Sequence, residues 1–194
     1  MGLDSIEIVM EIEKYFGISI SDPEAEKATT IQEMVDTVAN HLNVTESVDL
    51  QYEILERVNQ TLLKLGLIEK KIDLTDYPSK YLFPDNKEIW NAFKNDLQLD
   101  VPKPEFINRN TTSIINKIIN VIKWSPFYEW TTITFSQFIT AICANNYEEL
   151  LDRENIKSKY EIYVAVTAIT VNKIGVDYYE IEPEKSFTND LGVD

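Results

Sequence analysis

The two ends of the chain share an acidic character that the middle lacks. Residues 1–50 carry 11 acidic and 2 basic side chains, and residues 151–194 carry 9 acidic and 5 basic ones. Residues 51–150 are nearly balanced, with 13 acidic and 11 basic side chains. Such an asymmetry is expected if the two ends form one surface and the middle forms another. The pattern therefore predicts a discontinuous unit built from both ends, with a separate unit between them.

The composition of the chain excludes several classes of protein. The apolar fraction of 44% is enough for a buried core, so global disorder is not expected. The net charge of −15 repels a phosphate backbone, so nucleic acid is not an expected partner. A single cysteine excludes an internal disulfide and a cysteine-based metal site. Without a recognisable signal peptide or a membrane-length apolar run, we expect a cytoplasmic protein with no membrane partner.

Local signals predict helices at the start of the chain. Asp4 or Ser5 is a good N-cap for the first helix, and Gly17 can end it in a left-handed conformation. Thr30 and Glu33 form a capping box that opens a further amphipathic helix. The spacing of apolar residues in both segments is helical.

The stretch from 160 to 166 gives conflicting signals. Its apolar residues alternate and many are β-branched, which favours a strand on local propensity alone. Ile162, Val166 and Ile169 nevertheless fit one helical face.

Read tail first and then head, the two ends resemble an acyl carrier protein. The tail closes on Lys-Ser-Phe-Thr-Asn-Asp-Leu-Gly-Val-Asp, and in that family a loop ending in Asp-Leu-Gly-x-Asp leads into a serine and an acidic helix. The head supplies the patterns that follow: Glu-x-Val-Met-x-x-Glu, Phe-Gly-Ile, Asp-Pro-Glu-Ala-Glu-Lys and Thr-Thr-Ile. The resemblance covers residues 1–42 and 157–194, and it implies a circular permutation with an insertion.

The resemblance implies an all-α fold with two domains. Residues 1–45 together with 157–194 would form a permuted four-helix, acyl-carrier-like bundle. Residues 46–156 would form an inserted helical domain, which includes an extra apolar helix at about 112–123. In this family the segment around 160 is helical, which favours a helix there.

The inserted segment also resembles a degenerate second copy of the same module. Three stretches of the middle echo the head: 85–90 echoes 4–9, 97–101 echoes 16–20, and Thr134-Phe135 echoes Thr30-Ile31. No serine stands at the attachment position of this copy. Small helical domains can also show such echoes by chance, so both interpretations stay open.

A serine at the start of the acidic helix carries 4'-phosphopantetheine in this family. Aligned without a gap, that position falls on Gly2, and Ser5 lies three residues later, about one helical turn on and on nearly the same face. A helix N-terminus favours a phosphodiester anion. Ser5 is therefore the candidate attachment residue, and the alternative is that Ser5 only caps the helix or faces solvent.

The resemblance also assigns a partner-recognition face to the first helix. Its residues are Leu3, Asp4, Ile6, Glu7, Met10, Glu13 and Asp194. An acidic face favours basic patches on acyl-transfer or synthase enzymes, and on a phosphopantetheinyl transferase if Ser5 is modified. The implied function is non-enzymatic: a carrier in fatty acid, acyl or polyketide metabolism. The alternative is a pseudo-carrier that acts as a scaffold or regulator without a prosthetic group.

Other reactive residues point to structural roles. His41 is expected at the surface or as a C-terminal helix cap, and Cys143 in the core. No catalytic group, metal-ligand spacing or phosphate-binding glycine loop is predicted. For one chain to close its own bundle, Asp194 must lie near Gly2; exchange of tails between two copies would instead give a homodimer.

Overall fold

The computed structural model describes residues 3–104 and 130–193. These residues form no β-strand and contain eight α-helices: α1 (Leu3–Phe16), α2 (Asp22–Lys27), α3 (Ile31–Leu42), α4 (Asp49–Lys64), α5 (Lys87–Leu97), α6 (Phe135–Asn145), α7 (Tyr147–Leu150) and α8 (Lys159–Ile174). Short 3₁₀ helices lie at Pro78–Lys80, Trp130–Thr132 and Tyr178–Glu180. The predicted all-α class is confirmed. The helix predicted at 112–123 and Asp194 lie outside the described residues.

Helix α8 is the central helix of the structure. Ten of its sixteen residues are buried, and α1, α3 and α6 all pack against it. A helix surrounded in this way needs apolar residues on every side, so its sequence shows no single apolar stripe. The strand-like alternation is thus explained, and the helical prediction is confirmed. Ser158 caps the helix by accepting a hydrogen bond from the backbone of Glu161, and Gly175 ends it at φ +72°.

The first helix begins earlier than predicted. Because α1 already includes Leu3, Asp4 and Ser5 lie inside its first turn and neither is the N-cap. An acid in the first turn is favoured by the helix dipole, so Asp4 suits that position as well as it would suit a cap. The predicted end is confirmed, since Gly17 follows the helix at φ +64°.

The tail of the chain contacts the head of the same chain through its backbone. Three N–H groups make this connection: Ile31 donates to Lys185 O (3.0 Å), Gln32 to Pro183 O (2.8 Å) and Phe187 to Thr29 O (3.0 Å). An ion pair between Lys173 and Glu7 (2.9 Å) joins α8 to α1. The helices from both ends therefore pack around one another. Circular permutation and tail exchange between copies both stay predictions.

The two points where the chain crosses between the predicted domains lie side by side. Thr45 and Ser158 form an isolated parallel bridge, and Lys159 N donates to Thr45 O at 3.2 Å. The ammonium of Lys159 pairs with Asp36 at 2.8 Å and Glu46 at 3.0 Å. Helix α6 packs on both α4 and α8, so the middle segment shares the core with the ends. The two-domain division stays a prediction.

Within residues 3–104 and 130–193, no helix is both long enough and apolar enough to cross a membrane.

Candidate functional site

A cavity of about 460 Å³ lies beside the first turns of α1. Side chains from α1, α2, the start of α3 and the tail line it: Ser5, Ile8, Val9, Ala25, Glu26, Ala28, Thr29, Met34, Phe187 and Thr188. Six of these ten residues are apolar. The volume falls in the range of small-molecule pockets, about 300–1,000 Å³. The cavity can therefore shelter an apolar group of small-ligand size.

Ser5 lies at this cavity, in the first turn of α1. The Ser5 residue is half-buried. At about 100° per residue, Ser5 lies on the same face of α1 as the buried Ile8 and Ile12. The N–H groups of a first turn lack intrahelical acceptors and form the positive end of the helix dipole. A hydroxyl in this position is thus close to a favourable environment for an anion and to an apolar space.

The opposite side of α1 carries an exposed apolar stripe. Leu3 is 70% exposed, Ile6 43% and Met10 59%. Their spacing of three and four residues places them within an arc of about 60° on the helix. Large apolar side chains exposed in a row are typical of a protein-binding surface. The structure thus brings together the three apolar residues of the predicted recognition face.

The predicted acidic residues border this stripe, and two of them have partners within the chain. Glu7 pairs with Lys173 at 2.9 Å, and the Glu13 carboxylate accepts a hydrogen bond from Ile20 N at 2.7 Å. The hydrogen bond to Glu7 is the main cause that raises the pKa of Lys173. These two acids therefore hold α1 to α8 and to the following loop. The third, Asp4, lies half-buried in the first turn.

The tail forms a tight turn against the cavity. Ser186 N donates to the Asp190 carboxylate at 2.9 Å, and Val193 N donates to Phe187 O at 2.9 Å. Phe187, Leu191 and Val193 are all buried. The turn places the Phe187 ring in the cavity wall and brings the last described residues back to the bundle.

Two features of the site were not predicted. Lys173 lies in the last turn of α8, where a basic residue usually complements the helix dipole. Apart from its charge, nothing in the sequence indicated that it would pair with Glu7. Met34 lies in the amphipathic helix predicted from Thr30 and Glu33, but its place in a cavity wall depends on how α2 and the tail pack against α3.

His41 lies in the last turn of α3, and its Nε2 atom is 3.2 Å from the Glu24 carboxylate in α2. This contact ties α2 to α3. His41 is outside the set of residues that line the cavity.

Cys143 is fully buried in α6, and burial raises the pKa of its thiol to about 12. Because the thiolate is the reactive form, we expect almost no alkylation of the native protein at neutral pH. The measurement is iodoacetamide labelling followed by intact mass, with the same protein in denaturing guanidinium chloride as the control. Equal labelling rates in the two samples would contradict the buried placement.

Comparisons with known proteins find matches among curated proteins, and one of these covers part of this chain. A curated acyl carrier protein from Rubrobacter xylanophilus (strain DSM 9941 / JCM 11954 / NBRC 16129 / PRD-1) is 54% identical to this chain over 40 residues. The match covers 21% of this chain and 49% of the relative, so the chain spans about half the length of that relative. No protein-family model matches the chain, and no solved structure matches it. The match supports a carrier-like region in this chain.

Proposed function

We propose that this protein is an acyl-carrier-like protein that presents α1 to enzymes of acyl, fatty acid or polyketide metabolism. One observation carries the proposal: the exposed stripe of Leu3, Ile6 and Met10 lies on the same helix as Ser5 and its cavity. A carrier needs both a docking face and a sheltered space, and α1 supplies both within four turns. The partial match to an acyl carrier protein supports the same role.

The surroundings of Ser5 fit a 4'-phosphopantetheine group. The hydroxyl lies in the first turn of a fourteen-residue helix, where backbone N–H groups and the helix dipole favour the phosphodiester anion. Ile8, Val9 and Met34 supply apolar contacts next to it. When bound, the group would supply a thiol that carries the acyl cargo. In the proposed modification, the Ser5 oxygen forms a P–O bond with coenzyme A, the pyrophosphate bond breaks, adenosine bisphosphate leaves, and a base of the transferase takes the hydroxyl proton.

Charge complementarity defines the partner chemistry. The residues that border the stripe are acidic, so a partner should offer Lys or Arg side chains around an apolar centre. A promiscuous phosphopantetheinyl transferase and acyl-transfer or synthase enzymes are the proposed classes. Such a docking face requires no catalytic group in this chain.

Intact mass spectrometry tests the modification. The protein is incubated with coenzyme A and a promiscuous phosphopantetheinyl transferase. We expect a gain of one phosphopantetheine in the wild type and no gain in Ser5→Ala. Thr188→Ala is the matched control, because it removes another hydroxyl from the same cavity and should keep the full gain. A gain that persists in Ser5→Ala would rule out Ser5 as the attachment residue.

A pseudo-carrier without a prosthetic group is the second candidate. The half-buried position of Ser5, on the side of α1 away from the exposed stripe, favours it, because a transferase must reach that hydroxyl. In that case the docking face would act alone, as a scaffold or regulator. No mass gain in the wild type, with a known carrier modified in the same reaction, would select this second function.

A further inference from the structure

The helices of the middle segment repeat the packing of the helices at the chain ends. Helix α4 packs against both α5 and α6, as α8 packs against both α1 and α3. Both long helices are followed by a glycine with positive φ, Gly66 (+68°) and Gly175 (+72°). Helices α1 and α5 are also each followed by a residue with positive φ, Gly17 (+64°) and Gln98 (+59°). A non-glycine residue seldom adopts this conformation, so the left-handed end that α5 shares with α1 is not explained by residue type alone.

The capping and burial of α3 recur in α6. Thr30 with Glu33 and Thr134 with Gln137 both form reciprocal capping boxes at the helix start. Counted from these caps, five pairs of equivalent positions are buried in both helices: Ile31 and Phe135, Met34 and Phe138, Val35 and Ile139, Val38 and Ile142, Ala39 and Cys143. The match extends over about two and a half turns without a gap. Helices α1 and α5 are aligned separately, on Gly17 and Gln98, and this alignment makes Ile12 and Phe93 equivalent; both are buried.

The two sets differ at the cavity. Val9 and Met34 line the cavity beside Ser5, and their equivalents in the middle segment are Trp90 and Phe138. These two rings lie 6.4 Å apart between centroids, and Trp130 contacts them at 6.0 Å and 5.5 Å respectively. All three rings are buried. Since interiors are close-packed, aromatic side chains fill the part of the middle segment that corresponds to the space beside Val9 and Met34.

The attachment position also differs. The equivalent of Ser5 in the middle segment is Asn86, which is the N-cap of α5. Its side chain accepts a hydrogen bond from Ile89 N at 3.2 Å. An amide that caps the helix offers no hydroxyl for a phosphodiester.

We propose that the described part of the middle segment is a second copy of the bundle in which Trp90 and Phe138 close the space that is open beside Val9 and Met34. Of these two equivalent spaces, only the one beside Ser5 would hold an acyl or alkyl chain. The identity of the ligand rests on the proposed function, whereas the closure of the space at Trp90 and Phe138 does not.

Xenon, which enters apolar cavities without any attachment chemistry, tests which of the two equivalent spaces is open. Methyl-labelled protein is studied by NMR under xenon pressure. In the wild type we expect xenon-dependent shifts around Ile8, Val9 and Met34, and none around the equivalent positions in α5 and α6. In Trp90→Val, which installs the residue found at position 9, we expect a second set of shifted methyl groups in α5 and α6.

Two further variants complete the test. Val9→Trp should remove the first set of shifts, and Phe138→Met should open the second cavity if Trp90→Val does not fold. A folded variant at position 90 or 138 that gains no xenon site would overturn the proposal. Wild-type protein with xenon shifts in both sets would also overturn it. Because no covalent group is involved, failure of the transferase experiment on Ser5 leaves this result unchanged.

Discussion

Replacing Phe187 with alanine is expected to lower the free energy of unfolding by about 3–5 kcal/mol. The side chain is buried, forms part of the cavity wall, and belongs to the tail segment that is bonded to Thr29 through its backbone. Its loss removes a buried aromatic ring by which the tail packs beside α1 and α3. Equilibrium unfolding in guanidinium chloride gives the change directly. Hydrogen exchange at Ile31 N–H should also accelerate, because its acceptor, Lys185 O, lies in the same tail.

Thr188→Ala is the matched control for this prediction. Thr188 is adjacent and lines the same cavity but is exposed, so its truncation should change stability by less than about 0.5 kcal/mol. Equal, small effects for both variants would mean that the tail does not pack on the head in solution.

A second large loss of stability is expected for Trp130→Ala, at about 3–5 kcal/mol from the lost ring. The indole is buried and donates a hydrogen bond to Leu82 O at 2.7 Å, so truncation also leaves a carbonyl without this partner. Urea unfolding followed by circular dichroism measures the effect. Trp130→Phe keeps most of the ring packing and loses the donor, so we expect a smaller loss, about 1–3 kcal/mol.

The two variants together test how the molecule unfolds. Phe187 belongs to the predicted permuted domain and Trp130 to the inserted one, yet the buried residues of both form one continuous core cluster. We therefore expect each variant to shift the same single unfolding transition. Two transitions, each sensitive to only one variant, would show that the two units unfold independently.

The helices were predictable where local chemistry decides them. The capping box of Thr30 and Glu33 and the left-handed Gly17 fixed two helix ends in advance. The helix around Val166 was not decided by periodicity, because burial on all sides removes the polar face that gives a helix its pattern. Resemblance to a family supplied that answer, and the structure confirmed the helix.

The candidate site was predictable only in part, because it is a product of packing. The stripe of Leu3, Ile6 and Met10 lies on one helix, and the resemblance to a carrier family supplied its prediction. The cavity depends on α2, α3 and the tail meeting around α1, and local pattern carries no information on that. The proposed closing role of Trp90 and Phe138 likewise required coordinates. Val9 and Met34 line an open cavity, whereas the equivalent Trp90 and Phe138 are in ring contact, and the sequence does not show this difference.

In the proposed docking face, the Glu7 carboxylate is already paired with the ammonium group of Lys173. A cationic partner that reaches Glu7 must first displace an ammonium group that is tethered on α8 and always within reach, which acts as a rival at high effective concentration. Guanidinium groups that bind a carboxylate through two hydrogen bonds can outcompete that single ammonium, whereas lysine-rich surfaces gain little. At the position that meets Glu7, the proposed face would thus favour an arginine of the partner over a lysine.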